Sequence, residues 1–134
     1  MKSSKFLQVI LWVTGAIAVL VGSSILRSPA AFYGLNHIDL GSNVNLLSEV
    51  RAPAGFLLTS GVLIVAGAFI SQLTFTSTLL ATLLYLSYGI SRLFGMMVDG
   101  VPTQSLVWAD GLEMGLGLLC LICLYIHRPQ SYAG

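Results

Sequence analysis

Four stretches of this chain are long and apolar enough to cross a membrane, and together they leave little of it for anything else. A helix needs about 20 mostly apolar residues to span the hydrocarbon core of a bilayer. Residues 6–26 form one such run, with no charge between Lys5 and Arg27. Residues 52–70 form a second. Residues 73–94 form a third, with Arg92 near its end, and 106–126 a fourth, with Asp110 and Glu113 in its first half. The expected architecture is a single all-α transmembrane domain, an integral membrane four-helix bundle with short loops. Composition agrees: 8% of the 134 residues are charged, against about 25% in ordinary soluble domains. A net charge of +1 also argues against a nucleic-acid partner, which calls for a basic patch or stripe.

The connections carry local signals. Met1–Lys5 resembles the basic start of a signal peptide, but the apolar run behind it exceeds the usual h-region, so it reads as an uncleaved span. The longest connection is 27–50. Within it, Ser28 as N-cap and Pro29 at the first helical position predict a short interfacial helix through Leu35, with Phe32 and Tyr33 at headgroup level. Asn36 to Asn45 is polar and turn-rich. Pro53 is expected in the first turn of the second span, where its missing N–H costs little. Ser71 and Gln72 form a tight helical hairpin. Pro102 and Pro129 follow the third and fourth spans.

With four spans, both termini lie on one side. That side holds Lys2, Lys5, His127 and Arg128 and no acid, whereas Arg27, Arg51, Arg92 and all five acids fall on the other. The free amine tips an even count of Lys and Arg, and the positive-inside rule then places both termini in the cytoplasm of a bacterial inner membrane.

Ionisable residues within spans are costly and usually pair, facing the bundle interior. Here they gather in one layer. Glu49 and Arg51 open the second span, Arg92 closes the third with Asp99 just beyond, and Asp110 and Glu113 share a face of the fourth. The expectation is an ion-pair network joining spans two, three and four. Tyr85 and Tyr88 lead up to Arg92 at helical spacing, suiting a polar crevice that opens outward. Such a layer serves either to fix helix registry or to hold a ligand, ion or proton. Acids outnumber bases in it, which points to Glu113 as a carboxylate that is protonated or binds a cation.

Other signals are weaker. Thr14, Ala18 and Gly22, and the Gly111–Gly115 pair, have the small-xxx-small spacing that lets helices approach closely, within the bundle or with a partner. Cys120 and Cys123 form a CxxC, a redox or metal spacing elsewhere. Inside an apolar helix facing a reducing compartment, packing is the simpler role. Two thiols with His127 make an incomplete zinc site. Trp12 reads as packing, Trp108 as a headgroup-level residue. No nucleophile–base set, phosphate loop or HExxH is present, so no cofactor or metal is implied and the balance leans away from an enzyme.

Ser48-Glu49-Val50-Arg51-Ala52, Gly89-Ile-Ser-Arg92, Asp99-Gly100-Val-Pro102 and Glu113 together resemble a family of small bacterial four-helix membrane proteins known as domain of unknown function 4345, and more loosely the DoxX-like group. The resemblance covers nearly the whole chain and implies topology, not chemistry. Some DoxX-like proteins are linked to quinone or thiol oxidation, although Cys120 and Cys123 are not part of the shared pattern. The leading expectation is a non-enzymatic accessory subunit or a bundle binding a lipid-like small molecule, with Arg51 and Arg92 meeting an anionic group. The partners are the bilayer and, beyond it, other membrane subunits or a second copy. The alternatives are a membrane redox protein using a quinone with Cys120 and Cys123 as thiols, and a small proton-coupled carrier. The carrier is disfavoured by four short spans without internal repeats.

Overall fold

Ser4 starts the first helix by accepting a hydrogen bond from the Leu7 amide, and α1 runs Lys5–Arg27. A computed structural model describes residues 4–128; Lys2 and Pro129, weighed above, lie outside the described residues. The 23 residues of α1 extend about 35 Å, enough to cross a bilayer core. Ser28 is extended and breaks the helix, then caps α2 (Pro29–Gly34) through its hydroxyl, as the Ser-Pro sequence predicts. Asp39 closes a turn onto the Gly41 amide at 2.9 Å. Gly41 has φ +60°, a conformation glycine adopts without cost.

The next helix begins earlier than the apolar run. Asn43 accepts from the amides of Asn45 and Leu46 and starts α3, which spans Val44–Phe69. Its opening turns are too polar to register as a membrane span, yet Asn43 is a favoured cap and Leu46 and Val50 repeat at helical spacing. Pro53 therefore sits inside the helix, not in its first turn as expected. Its ring removes the donor that would bond the carbonyl of Glu49.

Ile70 ends α3, and a short 3₁₀ turn over Ser71–Leu73 leads into α4 (Thr74–Asp99), the tight hairpin expected. Two buried hydroxyls bind this hairpin together. Thr74 donates to the Gly67 carbonyl at 2.8 Å and Ser77 to the Leu63 carbonyl at 2.7 Å. Gly100, at φ +103°, stops α4, and α5 follows as Gln104–Ile126. Four of the described helices are long and apolar enough to cross a membrane.

Without water in the bilayer core, helix association rests on close packing more than on a hydrophobic drive. Glycine supplies that closeness here. A Cβ on Gly22 would lie 2.7 Å from the Leu58 amide nitrogen and 2.8 Å from the Ala54 carbonyl oxygen. A Cβ on Gly61 would lie 2.8 Å from the Gly15 carbonyl oxygen. The α1–α3 contact is thus backbone against backbone. The α4–α5 pair uses Gly117 against Leu86 and Gly89 against Met114. Thr14 and Ala18 are buried with Gly22. Gly111 and Gly115 have no atom within 4 Å of where a Cβ would sit, so this GxxxG pair packs on nothing within the bundle.

Gly22→Ala should therefore destabilise the fold by about 1–3 kcal/mol through overpacking. Gly115→Ala should be neutral or slightly stabilising, since alanine is the better helix former. Thermal unfolding of both variants in detergent measures the difference.

Candidate functional site

The site grows from one face of α4. Tyr85, Tyr88 and Arg92 follow one another at three- and four-residue spacing, so the helix presents them as a column. Glu113 on α5 faces the end of that column. The Nε of Arg92 donates to Glu113 Oε2 at 2.9 Å, with the two side chains 35% and 18% exposed. This is the one ion pair among the described residues. Arg92 makes no other side-chain hydrogen bond among them, which leaves its terminal N–H groups available.

The pair borders a cavity of about 300 Å³ at the end of the bundle away from the termini. All five helices contribute walls. Ile17, Val21 and Ile25 come from α1, and Pro53 and Leu57 from α3. Leu84 with the tyrosine column comes from α4, and Ala109 and Leu112 from α5. Phe32 and Tyr33 of α2 close over it, with Asn36 and Ile38 from the turn that follows. The walls are mainly apolar, and the polar groups are concentrated around Arg92. Tyr85 spends its hydroxyl on the Thr14 carbonyl oxygen, bracing α4 against α1. The Tyr88 hydroxyl makes no hydrogen bond among the described residues and remains free to act. A second recess of about 210 Å³ lies beside the first, lined by Arg92, Asp99 and Gly100 among others. Arg92 and Leu106 border both.

Not all the residues expected in one layer meet. Tyr85, Tyr88, Arg92 and Glu113 share the cavity, and Asp99 shares the second recess with Arg92. The network expected across three spans contracts to a single bridge between α4 and α5. Arg51 turns away instead: its Nη1 donates to the Leu26 carbonyl oxygen at 2.6 Å. The last carbonyls of α1 lack intrahelical donors and carry the negative end of its dipole, so a guanidinium there is favoured. Glu49 is exposed and unpaired among the described residues. Asp110 is buried, at 5% exposure, and its Oδ1 has no hydrogen-bond partner.

Cys120 and Cys123 are free thiols buried in the core at 0% and 1% exposure, and neither lines the cavity. The described residues contain no group of three or more His, Cys, Asp or Glu able to hold a metal. Trp12 is half exposed and packs edge-on against Phe69, with ring centres 5.1 Å apart. Trp108 is 72% exposed. Reading the sequence alone misses the α2 segment as a wall of the site. The signal was present in the Ser-Pro cap followed by two aromatics, but the same pattern suits a helix lying at the membrane interface.

The fold and site together define a small multi-pass helical membrane protein with a largely apolar internal cavity and one ion pair at its edge. Residues 6–124 match a family described as a domain of unknown function, DUF4345, and the chain belongs to that family. No curated protein and no solved structure matches the chain.

The ion pair makes a direct prediction. Arg92→Met strands a half-buried carboxylate and should cost about 1–2 kcal/mol, less than a fully buried pair because Arg92 is one-third exposed. Adding Glu113→Leu should recover much of the loss, since both charges are then gone. A double-mutant cycle by denaturant unfolding in detergent checks the sign of the coupling.

Proposed function

We propose that this protein is a non-enzymatic binding protein that holds a small amphiphile inside its helical bundle, with the apolar tail in the cavity and the polar head at Arg92. One observation carries the reading: a cavity of about 300 Å³ whose walls are mainly apolar and whose available polar groups converge at one place. That volume lies at the low end of ligand sites. It has room for on the order of ten water-sized volumes, which suits a single short tail.

The head group follows from charge. Glu113 already neutralises Arg92, and Asp110 is buried near it on the same helix. A second anion would meet the Glu113 carboxylate in the cavity wall, so an uncharged head rich in acceptor oxygens is favoured over a carboxylate. Such an oxygen can accept from a terminal N–H of Arg92 and from the Tyr88 hydroxyl. Tail and head then play different parts. Against water, each buried CH₂ contributes about 0.8 kcal/mol. Against the bilayer that gain largely cancels, because lipid tails are equally apolar. Discrimination from bulk lipid therefore rests on the polar contacts, at about 1.5–3 kcal/mol for a hydrogen bond from a charged group.

The burial of Cys120 and Cys123 away from the cavity supports packing over thiol chemistry. Lys2, Lys5 and Arg128 balance Arg27, Arg51 and Arg92 across the membrane; the N-terminal amine tips this even count toward cytoplasmic termini, with the cavity toward the far side of a bacterial inner membrane.

Radiolabelled glycerol monocaprate, with an ester and hydroxyl head on a short chain, is a suitable probe in lipid nanodiscs. Wild-type protein should bind it saturably and in preference to decane. Arg92→Met should weaken binding roughly tenfold or more. Ala109→Phe, which fills the cavity from a half-buried position, should abolish it. Undiminished binding by Ala109→Phe would refute the cavity as the site.

A further inference from the structure

We infer that the segment Pro29–Leu40, comprising α2 and the turn after it, is a lid, and that the ligand reaches the cavity past this lid. The inference rests on the binding reading for its ligand; the opening of the lid itself is measurable without one.

Two of the four seams around the bundle are closed by specific contacts beside the cavity. Gly15, Gly22 and Gly61 bring α1 and α3 into backbone contact. Buried hydroxyls of Thr74 and Ser77 bond α4 to α3 at the hairpin, the end of the bundle away from the cavity. Gly89 and Gly117 pack α4 on α5, with the Arg92–Glu113 bridge beside the cavity. The α1–α5 seam is different. The two helices meet sparsely and are linked near the termini by Ser4 Oγ and His127 Nε2 at 3.4 Å. At the cavity end the hydrogen bond that links them among the described residues runs through the lid, which leaves α1 at Ser28 and reaches α5 where Ser105 donates to Asn36 Oδ1 at 2.6 Å.

The lid is built to move as a unit. Beyond the cap at Ser28, whose carbonyl accepts from the Phe32 amide, its backbone hydrogen bonds are internal: the amides of Leu35, Asn36, His37 and Ile38 bond to carbonyls of Phe32, Tyr33 and Gly34. It is bounded by the extended Ser28, which ends α1 and caps α2, on one side and by Gly41 at φ +60° on the other. The Asn36–Ser105 bond is its one side-chain hydrogen bond to another helix among the described residues, and it is exposed to solvent. Exposed single bonds of this kind mark the low-stability end of a structure. The remaining hold is apolar, through Phe32, Tyr33 and Ile38 on the cavity and buried Leu40. A tail occupying the cavity would replace those contacts when the lid swings out.

Two measurements test this. Asn36→Cys/Ser105→Cys, joined by a short bis-methanethiosulfonate cross-linker, should slow exchange of bound glycerol monocaprate in nanodiscs at least tenfold, with recovery on adding DTT. Cys120 and Cys123, being buried, should not react. Wild-type exchange rates in the cross-linked protein, with binding intact, would overturn the lid and leave the binding reading standing. The second measurement needs no ligand. A water-soluble methanethiosulfonate should label Ala109→Cys inside the cavity roughly two- to tenfold faster when Asn36→Ala removes the latch, the equivalent of one hydrogen bond. An unchanged labelling rate would also overturn the proposal, whatever the probe does.

Discussion

The contact on which the rest of the architecture depends is the glycine-mediated approach of α1 and α3. Gly22 has no space for a Cβ between the backbone of Ala54 and that of Leu58, and Gly61 has none against Gly15. In lipid there is little hydrophobic gain from bringing two helices together, so contact area and backbone proximity must supply the attraction. The α4–α5 pair obeys the same rule with Gly89 and Gly117, though against the side chains of Met114 and Leu86. The cavity lies between these two tight pairs. It is walled by larger side chains such as Ile17, Leu57 and Leu84, which keep the pairs apart there.

Polar chemistry inside the bundle divides between strut and site. Thr14, Thr78 and Thr82 return their hydroxyls to carbonyls one turn back, and Tyr85 braces α4 against α1. These groups are satisfied and inert. Arg92 and Tyr88 retain unused donors beside an apolar space, and that imbalance is what marks the site. Asp110 carries the opposite imbalance, a buried acceptor without a donor among the described residues.

Much of the site was legible residue by residue, but not its assembly. The spacing of Tyr85, Tyr88 and Arg92 on one helix follows from 3.6 residues per turn, and the bridge to Glu113 follows from the cost of leaving either charge unpaired in a membrane. Arg51 misled because a basic residue at a helix start has two attractive destinations, a carboxylate or the carbonyl end of a neighbouring helix, and only the α1–α3 crossing decides between them. The start of α3 was hidden because its first turns lie among polar residues, where hydropathy is silent and the cap at Asn43 is the informative signal. The role of α2 was hidden because an aromatic pair on a short helix is equally at home on a lipid headgroup or over a cavity.

Sequence by itself determined the class of the protein: four apolar runs of membrane-spanning length, few charges, a Ser-Pro helix start and a tight hairpin at Ser71. These are local properties, set by bond geometry, backbone hydrogen bonding and transfer free energy, and they need no knowledge of neighbours. Only the tertiary structure decided which charges meet, which glycines pack and which do not, and that α2 folds back over a cavity. Those outcomes depend on helix crossings, where a shift of one residue exchanges the groups that face each other, and no local rule encodes that register.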